Sequence, residues 1–151
     1  SVSRESPTVK ISIVAFQKHK NLDYQAAEAE YIKRLSRFAQ IDMRDIKSWT
    51  RSTELPPDLS KSALRIALEV DGKRYDSKGL AKRMQELMNT GNSHLVLVIG
   101  GPEGVPSAVA PQIQECWSLS PLTFSHQLAR VVLLEALYRS FDLLNGGRYH
   151  K

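Results

Sequence analysis

The chain has a single cysteine, Cys116, among its 151 residues, so it can neither close an internal disulfide nor supply a thiolate metal cluster. Apolar residues never run for the roughly 18 positions that a membrane-spanning helix needs, and no basic start leads into an apolar signal core. Signatures for phosphates and dinucleotides are missing as well. The glycine-rich stretch Gly100-Gly101-Pro102-Glu103-Gly104 does not fit G-x-G-x-x-G, and no lysine follows its glycines. His, Asp and Glu do not cluster at ligand spacing, which argues against a resident metal. These absences point away from a membrane and towards a reducing compartment. The cytoplasm is the first expectation, or an organelle such as a chloroplast or mitochondrion if the start is a processed one.

What is present fits one α/β domain. A hydrophobic share of 42% and a charged share of 25% are ordinary for a globular chain with a core. Residues 1–8 are Ser-rich and aperiodic, which predicts a flexible segment ahead of a single domain over 9–151. Lys and Arg number 21 against 16 Asp and Glu, and the resulting +5 favours an anionic partner such as nucleic acid.

Hydrophobic spacing predicts the elements. Val9 to Phe16 alternates as a core strand, and Asn21 or Asp23 is placed to cap a helix carrying Ala27, Tyr31, Leu35 and Phe38. Ile41, Met43 and Ile46 mark a second strand, followed by an irregular connection from Trp49 to Ser62 around Pro56-Pro57. Leu64 to Val70 is a third strand, turned by Asp71-Gly72. A helix capped by Asp76 or Ser77 then ends at Gly91 in a left-handed C-cap. Leu95 to Ile99 is apolar throughout, as a strand buried on both faces should be, so the sheet is expected to be mostly parallel with helices on both faces. Cys116, beside Trp117, reads as a buried, inert thiol.

The last helix, from about Ser125 to Leu144, is apolar around nearly its whole circumference. Such a helix must be covered on several sides, which predicts a homodimer.

Chemistry concentrates in two loops. In Gly100 to Gly104 the glycines let the backbone approach a ligand and Pro102 fixes the turn; the competing reading is a tight connection into a helix near Pro106. Ser120-Pro121-Leu122-Thr123-Phe124-Ser125 offers main-chain donors and acceptors between apolar side chains, suited to a ring read by its edges. His126 and Arg130 fall one turn apart at the start of the last helix, where a helix terminus and a cation can steady negative charge, although a histidine there can also simply cap. Glu135 and Arg139 have the spacing of an i,i+4 ion pair, as much structural as catalytic. The tail Gly146-Gly147-Arg148-Tyr149-His150-Lys151 suits stacking and phosphate contact with RNA, or is a frayed end.

These residues, in their order and spacing, resemble a known family. Ile99-Gly-Gly-Pro-Glu-Gly, Trp117-Ser-Leu-Ser, Leu122-Thr, His126, Arg130-Val131, Glu135, Leu137-Tyr-Arg139 and Tyr149-His150 are similar to the SPOUT class of knotted RNA methyltransferases. The likeness is to the branch that methylates N3 of a pseudouridine in helix 69 of large-subunit ribosomal RNA (rRNA). It implies a C-terminal trefoil knot, S-adenosylmethionine held in the knot loops, and a homodimer whose tail completes the partner's site. The carry-over puts cofactor contacts on Leu68, Gly100, Ser120, Pro121, Leu122, Thr123, Phe124 and Ser125. Substrate work falls to His126, Arg130, Tyr149 and His150: Arg130 to stabilise an anion, His126 or His150 to take a proton. The chain differs from the family in having Ser125 where a proline commonly precedes the histidine, and in a shorter stretch between Asp42 and Leu64.

Overall fold

The computed structural model describes residues 9–19, 22–61 and 63–146. Five strands, β1 (Val9–Phe16), β2 (Ala39–Ile46), β3 (Leu64–Arg74), β4 (His94–Ile99) and β5 (Glu115–Ser118), form one sheet in the order β2-β1-β4-β3-β5. Every pairing between these strands is parallel. The helices are α1 (Gln25–Leu35), α2 (Pro57–Ser60), α3 (Ser77–Asn89) and α4 (His126–Leu144). No described helix is long and apolar enough to cross a membrane.

The central strands explain the apolar runs. Ile11, Ile13 and Ala15 of β1, with Leu95, Leu97 and Ile99 of β4, pack with α1, α3 and α4 on one face. Val14, Phe16, Val96 and Val98 point the other way, onto Leu55, Leu59 and Val109. Helices lie on both faces, but unequally. The three long ones share one side, and the other is closed by the irregular stretch after β2, with α2, and by the segment after β4.

Three local expectations are corrected. Helix α1 begins after Tyr24, whose side chain makes no capping hydrogen bond, and not directly after Asp23; Asn21 lies outside the described residues. Asp71-Gly72 is not a turn: β3 continues to Arg74, and a Cβ on Gly72 would sit 2.6 Å from the Trp117 carbonyl carbon. Glycine is needed there for close passage against β5. No helix starts near Pro106; Pro111 removes a donor inside the segment, leaving only a 3-10 turn at Ala110–Gln112. By contrast, Asp76 caps α3, accepting from the Gly79 amide at 2.7 Å, and Gly91 follows its end at φ +91°.

Helix α4 lies against both α1 and α3, and none of its 19 residues is fully exposed. One chain therefore already covers much of the apolar circumference that suggested a second copy.

Candidate functional site

The glycine loop leaves the C-terminal end of β4 and folds back on itself. Gly101 and Gly104 exchange both backbone hydrogen bonds, at 3.1 and 2.9 Å, and Gly104 has φ +91°. A Cβ on Gly100 would lie 2.4 Å from the Gly104 carbonyl carbon, and one on Gly101 would lie 2.7 Å from the Trp49 ring. The loop is closed so tightly that only hydrogen fits at either position.

The second loop leaves β5. The Ser118 hydroxyl donates to the Ser120 carbonyl at 3.0 Å, and the Ser120 hydroxyl accepts from the Leu122 amide at 3.0 Å. The Ser125 hydroxyl accepts from the Leu128 amide at 3.3 Å, so Ser125, and not His126, caps α4.

Between these loops and the end of β3 lies a cleft of about 360 Å³. It sits beyond the carboxyl ends of adjacent parallel strands, where open α/β sheets bind ligands. Of the residues singled out from sequence, Leu68, Gly100, Ser120, Leu122, Thr123, Phe124 and His126 line it. Pro121 and Ser125 do not: Pro121 is exposed, and Ser125 is committed to its helix cap.

The cleft also has wall residues that sequence reasoning missed. Leu119 lines it immediately before the expected run, and Ala129 does so one helical turn into α4. On the β3 side, Glu69, Val70 and Asp71 supply an acidic lip. They reach the cleft because the β3–β5 ladder breaks between Leu68 and Lys73. Reading Asp71-Gly72 as a turn hid this lip; the sequence signal was an acidic pair directly after Leu68. Cys116, behind the lip, is half-buried and not fully buried as expected. Burial pushes its thiol pKa up, and Glu69 pushes it further, so it is a poor nucleophile.

Arg130 is placed elsewhere. Its side chain is 4% exposed and donates to Glu28 of α1 at 3.0 Å, to Asp45 of β2, and to the side-chain amide oxygen of Gln17 at 3.4 Å. It lines no wall of the cleft. Two carboxylates compensate a guanidinium that would otherwise be costly to bury, so the geometry makes Arg130 a clasp between elements. This departs from the anion-stabilising role expected of it. Glu135 and Arg139 form the expected ion pair at 3.2 Å, and Glu135 also accepts from Tyr31 at 3.2 Å, tying α4 to α1. Tyr149 and His150, like segment 1–8, lie outside the described residues.

Comparison with known proteins places the chain in a family. The family model described as a predicted SPOUT methyltransferase matches residues 9–150. The putative ribosomal RNA large subunit methyltransferase H of Methanococcus vannielii is 36% identical, over 95% of this chain and 100% of that protein. The ribosomal RNA large subunit methyltransferase H of Pseudothermotoga lettingae is 39% identical, over 94% of this chain and 99% of its own length. Looser is the crystal structure of a probable rRNA-methyltransferase from Porphyromonas gingivalis, with a TM-score of 0.45 and 15% identity, covering 93% of this chain and 71% of that one. A parallel sheet with a glycine-loop cleft at its carboxyl edge and a family match across almost the whole chain lead to one placement: this protein belongs to the SPOUT methyltransferases, in the large subunit methyltransferase H branch.

Proposed function

We propose that the protein is an rRNA methyltransferase that moves a methyl group from S-adenosylmethionine to N3 of a pseudouridine in helix 69 of large-subunit rRNA, on assembled ribosomes. The observation that carries this reading is the cleft, built from the two loops that the family resemblance assigns to the cofactor. The relatives' names supply the rRNA class of acceptor.

The cleft's residues fit that cofactor. Gly100 permits close backbone approach, Leu68, Ile99 and Leu119 offer apolar walls to a purine, and the carboxylates of Glu69 and Asp71 suit a cationic ligand. When bound, S-adenosylmethionine supplies an electrophilic methyl whose carbon–sulfur electron pair departs with a neutral thioether. The chain's own task is orientation and proton handling. An imide nitrogen is protonated at neutral pH, so the N–H proton must leave before or as the nitrogen attacks. His126, on the wall of the cleft, is the described residue placed to hold it at an imidazole nitrogen. Tyr149 and His150 are proposed to act with it, from the same chain or a partner copy. The half-buried apolar residues Leu128, Val131 and Val132 of α4 are the proposed dimer contact. The cytoplasm, where ribosomes are assembled and work, is the proposed location.

The test is transfer of a labelled methyl group to ribosomes lacking the modification, beside naked large-subunit rRNA, with the labelled base mapped. Label at the helix 69 pseudouridine of ribosomes is the expected result. Label on another nucleotide overturns the acceptor and keeps the transferase. Absence of both label and cofactor binding overturns the transferase reading.

A further inference from the structure

A second cavity, of about 490 Å³, lies on the other side of the glycine loop. It opens between the end of β1, the start of the β2–α2 connection and the first turn of α4. Gly101, Gly104 and His126 line both this cavity and the cofactor cleft. The two spaces therefore share a wall made of one folded loop and one imidazole. In a two-substrate transfer each reactant has its own seat, and the reacting atoms must come into direct contact, about 3–3.5 Å apart, where the two seats adjoin.

Charge separates the two sides. The cofactor cleft is lined by two carboxylates, Glu69 and Asp71, and by no lysine or arginine among the described residues. The second cavity instead balances one carboxylate, Glu103, with the Lys18 ammonium, and adds the imidazoles of His19 and His126. A cationic donor suits the first, and a base attached to a phosphate backbone suits the second. The second cavity also has an aromatic wall. Trp49 meets Phe16 edge-on, with ring centroids 5.5 Å apart, and its ring is tight against Gly101. The Lys18 ammonium lies 5.9 Å from the Trp49 centroid, placing a cation beside a stacking surface. The floor is fixed: Gln17 is buried, donates to the His19 carbonyl at 2.6 Å and accepts from Arg130. Arg130 thus acts as a positioning residue for this cavity.

We propose that this second cavity is the acceptor pocket, taking a single RNA base turned out of its stack. Trp49 provides the aromatic surface, Lys18 engages the adjoining phosphate, and His126, which borders both cavities, stands beside the reacting edge where they adjoin. The inference rests on the methyltransferase reading above and adds where the acceptor sits.

Ribosomes lacking the modification serve as acceptor, and cofactor affinity is measured separately by calorimetry. Lys18→Glu and Trp49→Leu are expected to lower kcat/KM for the acceptor about tenfold or more, as loss of a stacking or phosphate contact does, with cofactor Kd within about twofold. Asp71→Asn is expected to behave in reverse, weakening the cofactor and sparing acceptor KM. Ribosomes reconstituted with 5-bromouridine at the target position should photocross-link within residues 16–19 or at Trp49. The proposal is overturned if Lys18→Glu leaves acceptor kinetics unchanged, if both variants weaken the cofactor as much as the acceptor, or if the cross-link maps elsewhere. Wild-type protein that binds cofactor but methylates no RNA would instead overturn the underlying acceptor reading, and this inference with it.

Discussion

Arg130 of the last helix and Glu28 of the first are joined by a 3.0 Å ion pair, with the guanidinium side chain only 4% exposed. The same guanidinium holds Asp45 on β2, so one side chain ties three separate elements.

Removing it strands two carboxylates in partly buried positions. Arg130→Ala is expected to destabilise the fold by about 3 kcal/mol, measured as a fall in the urea midpoint at unchanged slope. Lysine at this position, unable to bond both acids in the same fork geometry, should recover only part of the loss. A variant of wild-type stability that had lost only methyl transfer would show the clasp to be wrong.

The glycine loop allows a sharper test of the cleft. Gly100→Ala forces a Cβ to 2.4 Å from backbone, which cannot be relieved by moving a side chain. Cofactor affinity should drop at least about tenfold by calorimetry, since a single displaced turn costs of order 1–3 kcal/mol. Gly101→Ala meets the Trp49 ring instead, so pairing it with Trp49→Leu should restore much of the affinity.

Glu115 gives a pH dependence. The Arg83 guanidinium, at 2.6 and 2.9 Å, holds its carboxyl below the ordinary glutamate range, helped by the Trp117 indole N–H at 2.6 Å. A depressed folded-state pKa means the stabilisation is complete above the unfolded-state pKa and is lost as pH falls through the folded one. Glu115→Gln should lower stability by about 2 kcal/mol at pH 7, with the difference from wild type vanishing in acid. Paired denaturant titrations at both pH values would reveal it; a constant gap would contradict the assignment.

Gly91 follows α3 in the left-handed region, and open space surrounds the position a Cβ would take, so backbone strain alone is at issue. Gly91→Ala should cost about 1 kcal/mol and lower Tm by a few degrees, without changing cofactor affinity.

The sequence made legible what local pattern determines. β1 and β4 were readable because strands buried on both faces become unbroken apolar runs, and the end of α3 was readable because Gly91 follows a periodic segment. Most of the cleft's loop residues were legible through the family motifs. Two features were not. Asp71-Gly72 has the composition of a turn, but Gly72 exists for a contact with β5, far along the chain, that no local window contains. Arg130 stands near the cleft in sequence, yet Gln17, Glu28 and Asp45, which decide where its side chain goes, come from other parts of the chain.

The break in the β3–β5 ladder has a dynamic consequence. β5 is a four-residue border strand bonded along one side only, and its pairing to β3 changes register across Glu69–Gly72. Protection from solvent exchange should therefore be uneven along this seam, with the amides of the acidic lip trading hydrogen for deuterium well ahead of those in β1 and β4. A ligand spanning the lip and the β5 loop would cross-brace the seam, so its arrival should be legible as slowed exchange in β3 and β5, at a border of the sheet that the free chain leaves loosely stitched.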